Sequence, residues 1–356
     1  MNEWRAERIF FHNQKALADY DRLCQRSGIR RDAGLESVTG LRNADGELVA
    51  AGGLLGNTLR SLVVSPEYRG EGLLQILISE LMEEAAALSR FRLFIYGKSE
   101  YRHIFESLGF YPVAEVRGCM VFMENRSGHF EKWLNTIEEE SRSAYELQTP
   151  EKASGSGKIA ALVMHLNPIT KGHEALILKA WEENKWVHLF ILDEESDGFS
   201  ARDRGTFARA ALEGRPGIIF HGTDQYLISR SSFPSYFLRQ EDEAARVQAE
   251  LDAEIFLKVA DRLGIQRRYL GDEPYNSLGR AYNQIHAQLL TEHGLEVKLV
   301  ARFTDEAGLP YSATRVRKLL SENRPEEALQ LVPEHIRPLI RERLSSFTAA
   351  ETFAET

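Results

Sequence analysis

Residues 159–173 read IAALVMHLNPITKGH, and the fold is decided by how this stretch is read. The six apolar residues Ile159–Met164 run unbroken, the pattern of a strand buried on both faces inside a parallel sheet. They end directly in His165, Leu166, Asn167, Pro168, Ile169, Thr170, Lys171, Gly172 and His173, and a helix follows over 172–183. In an open parallel sheet, ligands sit beyond the carboxyl ends of strands and beside helix N-termini, where backbone amides are unpaired. Gly172 lets a ligand come close to the backbone, and His173 adds an imidazole. This strand, loop and helix make a candidate phosphate site.

Outward from it, strands and helices alternate. Strands are predicted over 186–192, 217–221, 268–270 and 296–300, with helices over 200–213, 242–263 and 276–293 between them and further helices to about Leu344. This β-α-β-α order implies a doubly wound, parallel, Rossmann-like sheet. The tail 348–356 is predicted to fray. Upstream, strands are predicted over 59–64, 92–96 and 118–123, and helices over 73–87 and 101–108, an α/β or α+β pattern. Residues 130–142 read as an exposed or bridging helix. The run 148–157, QTPEKASGSG, reads as a linker. The expected organisation is an N-terminal α/β domain over 1–128, a bridging helix and linker over 129–156, and the parallel-sheet domain over 157–347.

The chain has 356 residues, 43% of them apolar and 27% charged, which excludes wholesale disorder. Two cysteines, Cys24 and Cys119, exclude a disulfide scaffold and suit a reducing compartment. No signal peptide or membrane span is read, so a cytoplasmic location is expected, with no membrane partner. The formal net charge of −9 speaks against nucleic acid as a partner. An acidic chain that grips anions must do so with backbone amides, helix N-termini and a few placed cations.

The loop at 165–173 resembles the first signature of the HxGH-type nucleotidylyltransferases, with Thr170-Lys171-Gly172-His173 as the tetrad. The family's second signature, Ile-Ser-Ser-Thr-x-x-Arg, is matched by Tyr311-Ser312-Ala313-Thr314-Arg315-Val316-Arg317, where Ala313 replaces one Ser. The resemblance implies that His173 bonds the α-phosphate and that Ser312 and Thr314 donate hydroxyl hydrogen bonds at a helix start. Arg317, one turn further in, holds a phosphate. Thr170, His173 and Arg317 are the expected catalytic residues. Nucleotide contacts are expected from His165, Leu166, Asn167, Pro168, Gly172, Ser312 and Thr314.

The loop, together with Phe233-Pro234-Ser235-Tyr236-Phe237, Gly271-Asp272-Glu273-Pro274-Tyr275 and Tyr282-Asn283, is similar to the citrate lyase ligases. Arg230 departs from that family's usual residues. Phe233, Tyr236 and Phe237 read equally as core or as substrate pocket, and Gly271 and Glu273 as lining the adenosine side. The resemblance implies an ATP- and Mg²⁺-dependent enzyme that activates acetate as acetyl-adenylate and releases pyrophosphate. It then passes the acetyl group to the thiol of a CoA-like prosthetic group on the acyl-carrier subunit of citrate lyase. Acetate is already ionised at neutral pH and needs no general base, which suits a site without a carboxylate dyad. Neither cysteine lies in a reactive-looking setting, so the thiol is expected from the partner. The sequence assigns no metal ligands.

In the first domain, residues 65–74, SPEYRGEGLL, follow a strand and lead into a helix. They resemble the acetyl-CoA loop of the GNAT family, with Arg69, Gly70 and Gly72 as anion binders and Leu74 where that family has Gly or Ala. The Leu108-Gly109-Phe110 ending resembles the same family's later segment. Citrate lyase ligases carry such an N-terminal domain, which is expected to hold the carrier's prosthetic arm or to persist as a fold without ligand. Three rival readings stay open: a nucleotidylyltransferase acting on a phosphorylated metabolite, a nucleotide- and CoA-binding regulatory module, and an N-terminal half that acetylates an amine.

Overall fold

The computed structural model describes residues 4–32, 34–147, 157–194, 198–227, 233, 241–273 and 276–354, with backbone only for 241–242 and 346–354. Two compact units emerge, Met1–Lys132 with Phe233–Ile255, and Trp133–Ser232 with Phe256–Thr356. The expected linker lies mostly outside the described residues. So do Arg230, Pro234, Ser235, Tyr236, Phe237, Pro274 and Tyr275.

The first unit contains β1 (Arg5–Arg8), α1 (Gln14–Arg26), β2 (Ser37–Arg42), β3 (Leu48–Leu55), β4 (Thr58–Val64) and α2 (Leu73–Ala87). It continues with β5 (Phe94–Lys98), α3 (Arg102–Ser107), β6 (Tyr111–Val116) and β7 (Met120–Glu124). The strands form one sheet in the order β1-β2-β3-β4-β5-β7-β6. All neighbours are antiparallel except β4 and β5, which are parallel. Side chains alternate across a strand, so each face recruits its own helix. Leu73, Leu77, Ile78, Leu81 and Ala85 of α2 pack on Ala50, Leu54, Leu59 and Ile95. Ala16, Leu17, Tyr20 and Leu23 of α1 pack on Val38, Ala51 and Val63, which form the other cluster. The β4–β5 pairing holds only at Thr58↔Phe94 and Leu59↔Ile95, after which the two strands part. The first unit is thus a mostly antiparallel sheet interrupted by one splayed parallel pair. Strands β1 (RAER) and β2 (SVTGLR) are short and rich in polar residues and escape a search for apolar runs, while β3 (LVAAGGLL) is a run of eight, buried except at its ends, whose Ala and Gly residues are poor strand formers.

The second unit is built from α4 (His129–Leu147), β8 (Ile159–Met164), α5 (Lys171–Glu183), β9 (Trp186–Ile191), α6 (Ala201–Ala211) and β10 (Ile218–Gly222). There follow α7 (Glu241–Leu263), of which only Phe256 onward belongs to this unit, β11 (Arg267–Gly271), α8 (Ser277–Glu292), β12 (Glu296–Val300), α9 (Ala313–Ser321), α10 (Pro325–Gln330) and α11 (Arg337–Ala354). Five strands, all parallel, lie in the order β10-β9-β8-β11-β12. From β8 the chain winds outward through β9 and β10, then returns to β11 on the other side. The reversal makes the carboxyl end of β8, beside β11, the switch point where such sheets open a crevice.

Helix α4 reaches this sheet through a buried polar chain. The Tyr145 hydroxyl lies 3.0 Å from His188 Nε2, His188 Nδ1 lies 2.9 Å from His221 Nε2, and His221 Nδ1 lies 2.6 Å from Glu140. Each buried ring nitrogen thereby has a partner, which removes most of the cost of placing imidazoles in the core. The tail expected to fray instead continues as α11 to Ala354; no Gly or Pro occurs between Leu339 and Ala354 to stop it.

Candidate active site

The loop after β8 is held from several sides. Leu166 adopts the left-handed conformation (φ 50°), which is costly for a residue with a Cβ, and it is buried. The Asn167–Pro168 peptide bond is cis. The Asn167 side chain accepts from the Phe199 amide at 2.9 Å. Thr170, fully buried, caps α5 by accepting from the His173 amide at 3.3 Å, while His173 Nδ1 accepts from the Thr170 amide at 3.1 Å. With Nδ1 an acceptor, the neutral ring carries its proton on Nε2, and the ring also has a hydrogen bond to the Pro168 backbone. Burial, then the charges of Arg302 and His165, push the His173 pKa down to about 4. His165 is lowered as well, first by burial and then by Arg204. Both imidazoles are neutral near pH 7.

The second signature arrives at this loop from 150 residues away. Arg317 donates to the Asn167 carbonyl at 2.6 Å. Gly172 faces Tyr311 so closely that a Cβ on it would lie 3.0 Å from the tyrosine Cβ. Ser312 caps α9, accepting from the Arg315 amide at 3.4 Å, which leaves its hydroxyl proton to donate. Arg315 pairs with Asp305 at 2.6 Å, and Thr314 is exposed on the first turn of α9. His165, Leu166, Asn167, Pro168, Thr170, Gly172, His173, Tyr311, Ser312 and Arg317 therefore come together at the switch point.

The β11 side closes the crevice. Gly271 packs toward Leu176 of α5, and its carbonyl accepts from Asn283 at 2.9 Å. Glu273, read as an adenosine neighbour, pairs at 2.5 Å with Arg302, which also donates to the Asp272 carbonyl at 3.0 Å. Phe233 is buried, and Tyr282 stacks on the buried His286 with ring centroids 5.4 Å apart.

Two cations escape sequence reading. Arg302 follows β12 directly, and the rule that ligands gather beyond strand ends, applied to every strand, would have flagged it. Arg204, fully buried in α6, donates to the carbonyls of Glu194 (2.7 Å) and His165 (3.4 Å). No motif marks it, because its role follows from where α6 lies. Among the described residues, no three or more His, Cys, Asp and Glu side chains are grouped to hold a metal ion.

In the first unit, the parting of β4 and β5 opens a cavity of about 430 Å³. Leu62, Val63 and Val64 wall one side, and Tyr96, Gly97 and Lys98 the other. At its rim lie Arg69, Gly70 and Gly72, the two glycines at φ 88° and 79°. Gly72 precedes α2, whose first-turn amides have no helical acceptor and border the cavity at Leu73, Leu74 and Gln75. Leu74, the departure from the GNAT pattern, packs against the core beneath. Cys24 is buried with its thiol pushed up to about 12, chiefly by desolvation, and burial also raises Cys119. No helix among the described residues is long and apolar enough to cross a membrane.

Residues 159–337 match the family model of the citrate lyase ligase C-terminal domain. The chain is similar to the [citrate [pro-3S]-lyase] ligase of Escherichia coli K12, at 32% identity over 81% of this chain and 80% of that one. It is 30% identical to the Haemophilus influenzae protein of the same name, over 90% of this chain and 93% of that one. Among solved structures, an acyl-CoA N-acyltransferase from Pseudomonas aeruginosa aligns with 35% of this chain and all of its own, at 19% identity and a TM-score of 0.30. The fold of the first unit rests instead on its strand order and the splayed β4–β5 pair. Family model, near-full-length relatives and the joined signatures agree that the chain belongs to the citrate lyase ligase family.

Proposed function

We propose that the protein activates acetate with ATP and acetylates the thiol prosthetic group of the acyl-carrier subunit of citrate lyase. The observation that carries this is the bond from Arg317 to the Asn167 carbonyl, which joins a phosphate-binding loop and a second cationic helix start around a neutral His173. On this reading, residues 1–128 hold the prosthetic arm, 129–156 bridge, and 157–347 carry out the ligase chemistry. The protein works in the cytoplasm, where ATP and reduced thiols occur.

ATP binds with its phosphates on the amides of the 165–173 loop and the start of α9, near Ser312 and Thr314. A carboxylate oxygen of acetate attacks the α-phosphorus in line, and the bond to pyrophosphate breaks. His173 donates from Nε2 to an α-phosphoryl oxygen as charge builds there, while Arg317 neutralises phosphate charge. Mg²⁺ would enter with the nucleotide as part of the substrate, since this cation is usually held by substrate phosphates and keeps several waters. The carrier's thiolate then attacks the acetyl carbonyl and AMP leaves. Burial holds both of the protein's own thiols protonated, which supports a nucleophile from the partner. Arg69, Gly70, Gly72 and the first-turn amides of α2 are placed to hold phosphate groups of the arm.

Acetate-dependent exchange of labelled pyrophosphate into ATP tests the first half-reaction. Exchange that appears only with acetate is the expected result. Exchange driven by a phosphorylated metabolite and indifferent to acetate would replace this reading with that of a nucleotidylyltransferase.

A further inference from the structure

We propose that Arg302 is a second phosphate-gripping cation of this site, acting on the α-phosphoryl group beside His173, and that Glu273 is its positioning residue rather than a nucleotide ligand. The inference rests on the ATP-binding reading above and adds two roles to it.

Arg302 is located from both sides. It directly precedes Phe303, whose carbonyl accepts from the Tyr311 amide at 3.1 Å, and Tyr311 packs on Gly172, the neighbour of His173. On the other side its Nε donates to the Asp272 carbonyl at 3.0 Å, and the Asp272 amide is anchored on Val300 at 2.8 Å. Arg302 thus stands between the end of β11 and the second signature, at the rim of the crevice that opens on α5. The Glu273 carboxylate pairs with Nη2 at 2.5 Å. These contacts leave Nη1 without a partner among the described residues, and a guanidinium has donors to spare for a phosphoryl group. The side chains of Arg302 and Glu273 are 32% and 34% exposed, open enough for a ligand to reach yet held by two fixed contacts. The Arg302 charge is, after burial, the next cause that lowers the His173 pKa.

A carboxylate so engaged is poorly placed to read a nucleoside, but well placed to fix a guanidinium. Lysine could supply the charge but not both the carbonyl bond and the ion pair with a planar fork. The competing explanation is a surface ion pair, and such pairs contribute little of their own.

The test uses the full-length protein with Arg302→Met, Arg302→Lys and Glu273→Gln. ATP binding is measured by calorimetry, exchange kinetics are measured with ATP and acetate varied in turn, and His173 is titrated by NMR. Arg302→Met should weaken ATP binding roughly 10-fold or more and lower kcat/KM for ATP by about 10²-fold, with KM for acetate unchanged. Its His173 pKa should rise relative to the parent protein, while burial, the larger cause, still holds it below 6.5. The imidazole then gains its proton at higher pH, so exchange falls off earlier on acidification. Arg302→Lys should recover part of the loss. Glu273→Gln should lower kcat with little change in ATP affinity, and should leave the His173 pKa low, because the guanidinium charge remains. Unchanged ATP binding and an unchanged His173 titration in Arg302→Met would reduce the pair to a surface bridge and overturn the proposal. A rise confined to KM for acetate would overturn it too, by assigning Arg302 to the carboxylate substrate. If the wild type shows no acetate-dependent exchange, the ligase reading fails, while calorimetry and NMR still decide the role of Arg302.

Discussion

The crevice at the end of β8 and the wedge between β4 and β5 are both strand-to-helix junctions that offer backbone amides to an anion, yet they are built differently. Around β8, long-range bonds tie the loop: Arg317 on the Asn167 carbonyl, Arg204 on the His165 carbonyl, and Phe199 on the Asn167 side chain. The histidine tautomer is set by a neighbouring amide. In the wedge, the 65–72 turn is mostly bonded to itself, with Tyr68 on Ser65, Arg69 on Pro66 and Glu71 on Tyr68. It borders an open, largely apolar cavity. Chemistry on phosphorus needs donors fixed before charge develops, since reorganisation during reaction would add to the barrier. Holding a long flexible arm needs room and a few amides. On the proposed function, the contrast teaches that the same local motif serves catalysis or retention according to what the rest of the fold brings to it.

The contrast can be broken most directly at His173. His173→Ala should lower acetate-dependent exchange by about 10²- to 10³-fold, the usual cost of a lost transition-state donor, with the circular dichroism spectrum retained. Exchange near wild type would remove His173 from the mechanism.

A smaller effect is expected at Gly172→Ala. The added methyl meets Tyr311 at 3.0 Å and pushes the two signatures apart by a few tenths of an ångström. Exchange should drop roughly 10-fold, since sub-ångström misplacement already costs rate. Alanine is also the better helix former, so the melting temperature should hold or rise while activity falls. Parallel loss of stability and activity would instead mark Gly172 as a packing position.

The smallest effect probes the wedge. Arg69→Ala should leave exchange untouched and raise KM for the carrier thiol by about 2- to 5-fold, as suits one exposed cation. If adenylate formation suffers equally, the two junctions are not separable in function.

Much of the second unit was legible beforehand, and for a specific reason. Strands buried on both faces read as apolar runs, so β8 was predicted with its observed bounds; the half-exposed edge strand β12 (EVKLV) was predicted with its bounds too, though not by an apolar run. The 65–74 loop was legible through its glycines, both of which adopt positive φ. The first three strands, the tail helix, Arg204 and Arg302 were not. β1 and β2 are short and rich in polar residues, and β3, rich in Ala and Gly, has few of the β-branched residues that mark a strand. A charged side chain looks the same in sequence whether it faces water or an anion site.

The sequence by itself determined the α/β class, the two-part organisation of the chain's chemistry and the residues of both signatures, because these depend on local periodicity and contiguous motifs. Only the tertiary structure decided that burial lowers the His173 pKa, that Glu273 pairs with Arg302, and that Arg204 bonds the His165 carbonyl. Each of those depends on strand order at the switch point, which brings residues more than a hundred positions apart into contact and sets the burial and charge around one imidazole.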